Sequence, residues 1–436
     1  MVAVTSRPRT TAETSAGLGT PQRRGAPGRR PGVLIIVQNL PVPFDRRVWL
    51  ECQALRSAGY DVSVVCPKGP GDPSEQIVEG VNLYKYEPHP ASSGMASFVV
   101  EYLHSFVATA RLTLKAWRKR RFDVLQACNP PDIFWPIALA FRVFTKVQFV
   151  FDHHDLCPEL FESRFEGGSK ALGRGLRFLE WCTFKSAHHV ISTNDSYRRV
   201  AMERGGKPAN RVTVVRTGPD PARLCRSEPD SGWLAGRKHL VSYLGVMGPQ
   251  DGVDLAIRCA DHIVHDLSRD DVSFVFVGSG DCFRQLVELR DELGLGDYVE
   301  FTGRASDEVV ASILSTADVG LCPDPKNPLN DLSTMNKTME YMAYSVPVVA
   351  FDLRETRVSA ADAALYAVPN DVRDFAAKVL QVLDDDEFRV AMGERGRQRV
   401  VDHLAWSRQM TGYLGVYDAI TGRVPSAGRD PTLSGA

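Results

Sequence analysis

The segment from Asn330 to Ala343 contains the residue types that bind a phosphate and a sugar diol. It reads Asn-Asp-Leu-Ser-Thr-Met-Asn-Lys-Thr-Met-Glu-Tyr-Met-Ala, and a Val-Pro-Val-Val run follows at position 346. Its methionines recur at helical spacing and predict a helix with a buried face, which leaves Asn336, Lys337 and Glu340 on the opposite face. Backbone N–H groups, a lysine and a carboxylate at one helix start suit a phosphate and a diol. An ordinary amphipathic helix with a solvated polar face would show the same pattern.

Two polar residues precede this predicted helix. Asp331 and Ser333 each have a side-chain oxygen that can accept a hydrogen bond from the first turn. We therefore expect one of them to cap the helix and both to lie near the bound phosphate and diol.

The same segment resembles a known family. Glu340-Tyr341-Met342-Ala343, shortly before a Pro-Val-Val strand, resembles the second half of the Glu-x7-Glu signature of retaining GT-B glycosyltransferases of family four. By that resemblance Glu340 binds the ribose hydroxyls of a nucleotide-sugar donor. The first glutamate of the signature is replaced by Leu332, so Asp331 is the nearest carboxylate for its contact. The loop ahead of Glu340 resembles that of an Asn-Lys variant subfamily.

Size and composition fit a soluble enzyme with two domains. The chain has 436 residues, of which 44% are hydrophobic and 24% charged, enough for two α/β cores. A net charge of -1 gives no field that would select nucleic acid. The nine cysteines form no Cys-x2-Cys pair, which argues against a zinc site and favours the reducing cytoplasm. The N-terminus lacks the apolar segment of a signal peptide.

Apolar runs alternate with amphipathic segments along most of the chain. One set begins near Val33 and another near Leu240, and such alternation predicts parallel sheets covered by helices on both faces. We therefore predict an α/β protein of GT-B architecture, in which two Rossmann-like domains face a central cleft. The predicted divisions are a disordered tail (1–31), an acceptor-side domain (32–218), a linker (219–237), a donor-side domain (238–405), a helix returning to the first domain (406–420) and a second disordered tail (421–436).

Polar loops follow two apolar runs of the first domain. Asn129 and Asp132 follow one run, and His154 and Asp155 follow the next. Because the carboxyl ends of parallel strands form the ligand edge of an open sheet, these loops are expected to line the cleft. Asn129 and Asp132 are predicted to lie on the acceptor side, and His154 and Asp155 are predicted to be catalytic. His154-Asp155 resembles the His-Asp element of the family, which implies that His154 contacts the donor sugar near the reacting carbon. Core packing is the competing interpretation for His154 and the preferred one for His153.

The first apolar run is followed by a loop in which Asp45 can cap the next helix. Arg46 or Arg47 could contact an anionic acceptor or the diphosphate, although a solvated first turn fits equally well. The family resemblance places this loop opposite the donor and the acceptor.

Residues 245–252 align with a family loop whose Arg and Lys bind the donor diphosphate, but here those positions are Val246 and Asp251. Gly248 still allows close backbone approach. The missing cations are predicted to be Lys337, Arg304 and Arg216, in that order. A second turn at Gly278 is predicted either to line the nucleotide pocket or only to close its strand.

The region from Arg111 to Arg121 is basic and follows a helical pattern. Basic amphipathic surfaces attract anionic lipid, so association with the inner face of the membrane is predicted beside a solvated-charge alternative.

The predicted activity is transfer of a sugar from a nucleotide diphosphate sugar to an acceptor alcohol with retention of configuration. The resemblance implies that no metal is needed and that the acceptor is a sugar, a lipid-linked molecule or a small molecule. A nucleotide-sugar epimerase and an inactive nucleotide-sugar-binding subunit are the alternatives.

Overall fold

The computed structural model describes residues 29–89, 95–164 and 170–423. The two predicted disordered tails fall almost entirely outside these ranges. Within the ranges, no helix combines the length and the apolar character needed to cross a membrane.

The first sheet contains eight of the strands that the structure describes, in the order β3-β4-β2-β1-β5-β6-β7-β8. All neighbouring pairs are parallel except β3 and β4. The strands are β1 (Gly32–Ile36), β2 (Asp61–Pro67), β3 (Glu75–Val78), β4 (Val81–Tyr86), β5 (Val124–Cys128), β6 (Gln148–His153), β7 (His189–Ser192) and β8 (Val212–Val214).

The second sheet contains six described strands in the order β11-β10-β9-β12-β13-β14, and all of its pairs are parallel. The strands are β9 (His239–Leu244), β10 (Val272–Val277), β11 (Val299–Gly303), β12 (Val319–Cys322), β13 (Val348–Phe351) and β14 (Ala364–Ala367).

Helices cover both faces of each sheet, as the apolar strand runs require. They are α1 (Arg46–Ser57), α2 (Met95–Lys119), α3 (Trp135–Thr145), α4 (Cys157–Arg164), α5 (Lys170–Ser186), α6 (Asp195–Glu203), α7 (Val253–Asp261), α8 (Phe283–Glu292), α9 (Asp307–Thr316), α10 (Asn336–Ala343), α11 (Arg354–Ala360), α12 (Val372–Leu383), α13 (Asp386–Arg399) and α14 (Trp406–Thr421).

Helix α1 begins as its sequence predicts. The Asp45 side chain accepts a hydrogen bond from the Val48 backbone N–H, and Val48, Cys52 and Leu55 are buried against the first sheet. Arg46 and Arg47 therefore occupy the first turn of a helix that starts at the carboxyl edge of β1, beside the cleft.

The chain crosses between the two sheets twice. Residues 219–237 lead to the second sheet, and the Trp233 indole donates to Ser312 Oγ of α9 on the way. Helix α14 then packs its Trp406, Tyr413 and Tyr417 rings into the core of the first sheet. The last helix thereby ties the end of the chain to the domain that contains α1.

Candidate active site

The loop after β6 is held by an amide from the loop after β5. Asn129 Oδ1 accepts from the backbone N–H of His154 at 2.7 Å and of Asp155 at 3.2 Å, and Asn129 Nδ2 donates to the Asp155 carbonyl at 2.7 Å. Asn129 is buried, and both the oxygen and the nitrogen of its side-chain amide form hydrogen bonds within the protein. We therefore revise its predicted role from acceptor contact to positioning of His154.

The His154 ring lies against a buried ion pair. Its Nε2 is 2.7 Å from Asp152 Oδ2 and 3.0 Å from Arg47 Nε, and Arg47 Nη2 donates to Asp152 Oδ1 at 2.9 Å. Burial alone would raise the pKa of Asp152, but Arg47 and His154 hold it well below its usual range. Both side-chain contacts of the ring are made by Nε2, with Arg47 Nε and with Asp152 Oδ2, which leaves Nδ1 for a hydrogen bond in the cleft. Among the described residues, none donates to Nδ1.

A second buried carboxyl supports this pair from below. Glu51 is fully buried one turn along α1 from Arg47, with Arg47 Nε 3.1 Å from Glu51 Oε1. Burial and the neighbouring Asp152 raise the pKa of Glu51, and Arg47 opposes that rise. Gln126 Nε2 donates to Glu51 at 2.8 Å and to Asp152 at 3.0 Å, and Gln126 Oε1 accepts from Tyr413 of α14 at 2.8 Å.

Three other polar residues of this region lie below the cleft or at its wall. The His153 ring is fully buried and packs on Phe184 and Tyr197, so core packing is the correct interpretation for it. Asp132 is also buried, and burial raises its pKa to about 7, so it does not line an acceptor site as predicted. Asp155 is partly buried, and burial raises its pKa too.

Arginine 46 connects the two domains across the cleft. Its Nη2 lies 2.6 Å from Asp307 Oδ1 at the start of α9, and its Nη1 lies 3.3 Å from Glu340 Oε1 on α10. Burial raises the pKa of Glu340, and Arg46 opposes that rise. The Arg46 side chain is 53% exposed, so solvent or a ligand can exchange for these contacts. Glu340 thus faces the cleft from the second domain, opposite Arg46.

The first turn of α10 has open backbone donors. The helix begins at Asn336, and the residue before it, Met335, has no side chain that can cap it. The predicted capping by Asp331 or Ser333 is wrong. Asp331 Oδ1 instead accepts from the Arg354 N–H that starts α11, and Ser333 Oγ donates to the Leu329 carbonyl. An uncapped helix start is a site for an anion.

We expected Lys337 to lie on the exposed face of α10, but the structure places it elsewhere. It is buried, and its Nζ lies 2.6 Å from Asp324 Oδ1 and 5.2 Å from the centre of the Tyr243 ring. Burial alone would lower the pKa of Lys337, but Asp324 outweighs this effect and holds it above the usual range. Asn336, by contrast, is exposed one turn before Glu340. The charge of Lys337 is therefore already matched inside the second domain.

Two glycines bring the strand ends of the second domain close together. Gly245 has φ +154°, and a Cβ there would lie 3.2 Å from Lys337 Cε. Gly278 has φ +136°, and its Cβ would lie 1.8 Å from the Gly245 carbonyl oxygen, which no side chain could tolerate. Gly278 therefore closes its strand against the 245 loop. The Gly248 N–H donates to Asp251 Oδ2 at 2.9 Å, so the Asp251 carboxylate binds the backbone of its own loop.

The remaining predicted cations differ in exposure. Arg216 is buried, with its Nη2 3.4 Å from Glu355 Oε2, and so is engaged within the domain interface. Arg304 is exposed just after β11, and its guanidinium lies 5.2 Å from the centre of the Phe44 ring of the first domain. Arg304 and Arg46 are thus two exposed arginines that reach the opposite domain.

Cys128, Asp152 and His154 place three ligand-type atoms within 4.8 Å of one another. The buried guanidinium of Arg47 already bonds two of these residues. A metal ion would have to displace that cation, so this group does not fit a metal site.

Comparison with known sequences decides the family. Residues 45–223 match the family model described as Glycosyltransferase Family 4, and residues 238–385 match the one described as Glycosyl transferases group 1. The chain is a family 4 glycosyltransferase. It is a retaining enzyme that transfers a sugar from a nucleotide-sugar donor to an acceptor, as its sequence predicts.

This glycosyltransferase is 28% identical over 410 residues to the phosphatidyl-myo-inositol mannosyltransferase of Mycolicibacterium smegmatis, covering 91% of this chain and 94% of the relative. Among solved structures, the sucrose-phosphate synthase of Thermosynechococcus elongatus superposes with a TM-score of 0.74 at 17% identity, over 91% of this chain and all of that one. The Anabaena protein HepE in complex with UDP-glucose gives a TM-score of 0.69 at 14% identity, over 89% and 99% of the two chains. These superpositions confirm the GT-B fold.

Sequence reasoning missed Glu51, Asp324 and Asp307 of the glycosyltransferase site, and it missed the burial of Arg47. Arg47 and Glu51 lie on the same face of α1 as Val48, Cys52 and Leu55, and that spacing could have indicated that both are buried. Asp324 and Asp307 had no such signal, because their partners come from other elements of the fold.

Proposed function

We propose that the donor binds at the α10 edge of the second domain and the acceptor approaches from the first domain, so that residues 238–405 hold the nucleotide sugar and residues 32–218 hold the acceptor. The observation that carries this proposal is the convergence of Glu340, the uncapped start of α10 and Arg46 at one point of the cleft. Glu340 accepts hydrogen bonds from the ribose hydroxyls. Arg46 exchanges its contact with Glu340 for one with the donor.

The diphosphate needs positive partners in the absence of the usual Arg and Lys. Open N–H groups at Asn336 and the exposed guanidinium of Arg304 supply them, while Lys337 supports the Gly245 loop from beneath. Arg304 thus ranks ahead of Lys337, whereas the sequence predicted the opposite order. The reason is that Asp324 neutralises Lys337, while Arg304 is not paired in this way.

His154 acts on the donor sugar through its Nδ1. Asp152 and Arg47 fix the ring from the opposite side, and Asn129 fixes the backbone. In this arrangement the protein contributes position and charge stabilisation, while the departing phosphate accepts the proton of the acceptor alcohol. No metal is required, because arginine and helix N–H groups already face the phosphates.

The acceptor class follows most closely from the relative that acts on phosphatidyl-myo-inositol. We propose a lipid-linked or sugar acceptor delivered at the inner face of the membrane. Bacterial polysaccharide, glycolipid or small-glycoside synthesis is the setting that suits such an acceptor.

A donor screen tests the proposal. Thermal shift with UDP, GDP and ADP and their sugars identifies the base, since a ligand that binds only the folded state raises its stability. Slow release of nucleotide from the matching sugar, accelerated by an acceptor alcohol, is expected. Conversion of the sugar without any acceptor would indicate an epimerase, and binding without turnover under any acceptor would indicate an inactive subunit.

A further inference from the structure

Four cations gather on the outer side of the first domain, away from the cleft. Arg142 ends α3, Lys185 ends α5, and Lys207 and Arg211 follow α6. Lys207 Nζ donates to the Ala187 carbonyl just after α5. We call these four residues the basic cluster. None of the four forms an ion pair with any residue within the described ranges.

The proximity of these charges shifts the pKa values of the groups among them. Burial lowers the pKa of Lys207 to about 8, and the like charges of Lys185, Arg142 and Arg211 add to that effect. The pKa of the neighbouring His188 is lowered to about 4, first by burial and then by Arg142, Lys207 and Arg211. A cluster of cations that repel one another, with no internal carboxylate, creates a local positive potential on a chain whose net charge is only -1.

Large apolar side chains protrude beside the basic cluster. Val143 and Phe144 follow Arg142 directly, and Phe144 is 84% exposed. On α5 the Phe178 and Trp181 rings stack at 6.1 Å, both exposed, and Lys185 Nζ lies 5.9 Å from the centre of the Trp181 ring. We call these four residues the apolar rim. Phe144 has no ring contact in the described part of the chain, while Phe178 and Trp181 stack on one another at the surface.

We propose that the basic cluster and the apolar rim together dock this domain onto an anionic lipid bilayer. Cations supply the attraction to anionic headgroups, and aromatic rings insert at the level of the headgroups, which is the combination that stable peripheral binding requires. A nucleic acid or an acidic protein would satisfy the cations but leave Phe144 and Val143 in water. This proposal deepens the proposed function and rests on it, because the proposed function supplies the membrane-borne acceptor.

The basic run at the end of α2 provides a matched control. Lys115 and Lys119 both pair with Glu75, and Arg120 pairs with Asp61, while Arg121 lies over the Trp117 ring. These internal contacts reduce the charge available to a membrane. We therefore place the docking surface at the basic cluster, and the run expected from sequence stays the alternative that the variants below separate from it.

The test is co-sedimentation of the full chain with phosphatidylcholine vesicles that contain or lack phosphatidylglycerol. In the triple variant Arg142→Gln, Lys185→Gln, Arg211→Gln, partitioning to the anionic vesicles should fall about fivefold per residue, or roughly a hundredfold in total. The control triple variant Lys115→Gln, Lys119→Gln, Arg120→Gln removes cations that are paired with Glu75 and Asp61 and should lose much less. Replacing Phe144 and Trp181 by Ser should weaken the binding that persists at high salt, where charge attraction is screened.

Wild-type protein that stays in the supernatant with anionic vesicles would overturn the proposal, as would equal losses in the two triple variants. Nucleotide affinity and turnover with a soluble acceptor should remain unchanged in all of these variants. Turnover without vesicle binding would refute only the docking surface, whereas vesicle binding without turnover on any donor would refute only the proposed function.

Discussion

Arg46 and Arg47 are neighbours in the sequence, but the ion pairs of Arg46 are exposed to solvent and those of Arg47 are buried. Arg47 is buried and contacts Asp152, Glu51 and His154 within its own domain. Arg46 is half exposed and reaches Asp307 and Glu340 in the other domain. A rotation of about 100° around α1 separates the two.

The comparison separates positioning from binding. The pairs around Arg47 are desolvated, so breaking one leaves a buried charge without compensation. The pairs around Arg46 are in contact with water, and such pairs contribute little to stability. A site that must hold His154 in one orientation uses the first kind, whereas a site that must release its contacts to a donor uses the second.

The largest expected effect is on stability. Asp152→Ala should lower the free energy of unfolding by about 3–5 kcal/mol, because the buried Arg47 would lose the carboxylate that pairs with its Nη2. Asp307→Ala removes the equivalent carboxylate from Arg46 and should cost only about 0–1 kcal/mol. Urea denaturation of both variants measures the difference, and equal costs would contradict the distinction between the two arginines.

The buried Asp132 gives the first domain a pH-dependent stability. Its pKa rises from 3.8 to about 7 on folding because of burial, so the folded state binds the extra proton between these values. The stability associated with Asp132 is fully present below pH 3.8 and is lost as the pH rises through 7. Asp132→Asn should therefore raise the melting temperature clearly at pH 8 and hardly at pH 4. An identical shift at both pH values would exclude this explanation.

The cations around the donor should differ in the same way as the two arginines of α1. Arg304→Ala should weaken binding of the nucleoside diphosphate more than binding of the nucleoside, because its guanidinium is free to meet phosphate. Lys337→Ala should lower the melting temperature, because it leaves Asp324 buried and unpaired. Calorimetric titration with both ligands checks this. A selective loss of diphosphate affinity in the Lys337 variant alone would restore the order predicted from sequence.

Much of the fold follows from local sequence signals. The two predicted sets of apolar runs, beginning near Val33 and Leu240, appear as the parallel strands from β1 and from β9 onward, because buried parallel strands are short apolar runs bounded by loops. Strands β3 and β4 were missed. The outer strand β3 alternates between exposed and half-buried residues, and it lacks a continuous apolar run. The Asp45 cap was predicted correctly because both partners lie within three residues.

The candidate site could be predicted only in part. His154 and Glu340 follow from motif and strand order, but Lys337 was placed on the wrong face because its partner Asp324 approaches from the end of β12. The same limit applies to Asn129, whose partners in the 154–155 loop follow the neighbouring strand β6. Contacts between distant segments depend on sheet order, which no local periodicity encodes.

The central claim is that the first domain positions the chemistry at His154 while the second domain binds the donor at Glu340. The most direct test is calorimetric titration of the matching nucleoside diphosphate into the wild type, Glu340→Gln and His154→Ala, each also assayed for turnover. Glu340→Gln should weaken nucleotide binding by about 1.5–3 kcal/mol, the value of a hydrogen bond to a charged group. His154→Ala should bind the nucleotide as the wild type does, keep its melting temperature, and lose about a hundredfold in rate. Unchanged affinity in the Glu340 variant, or normal turnover in the His154 variant, would contradict the account.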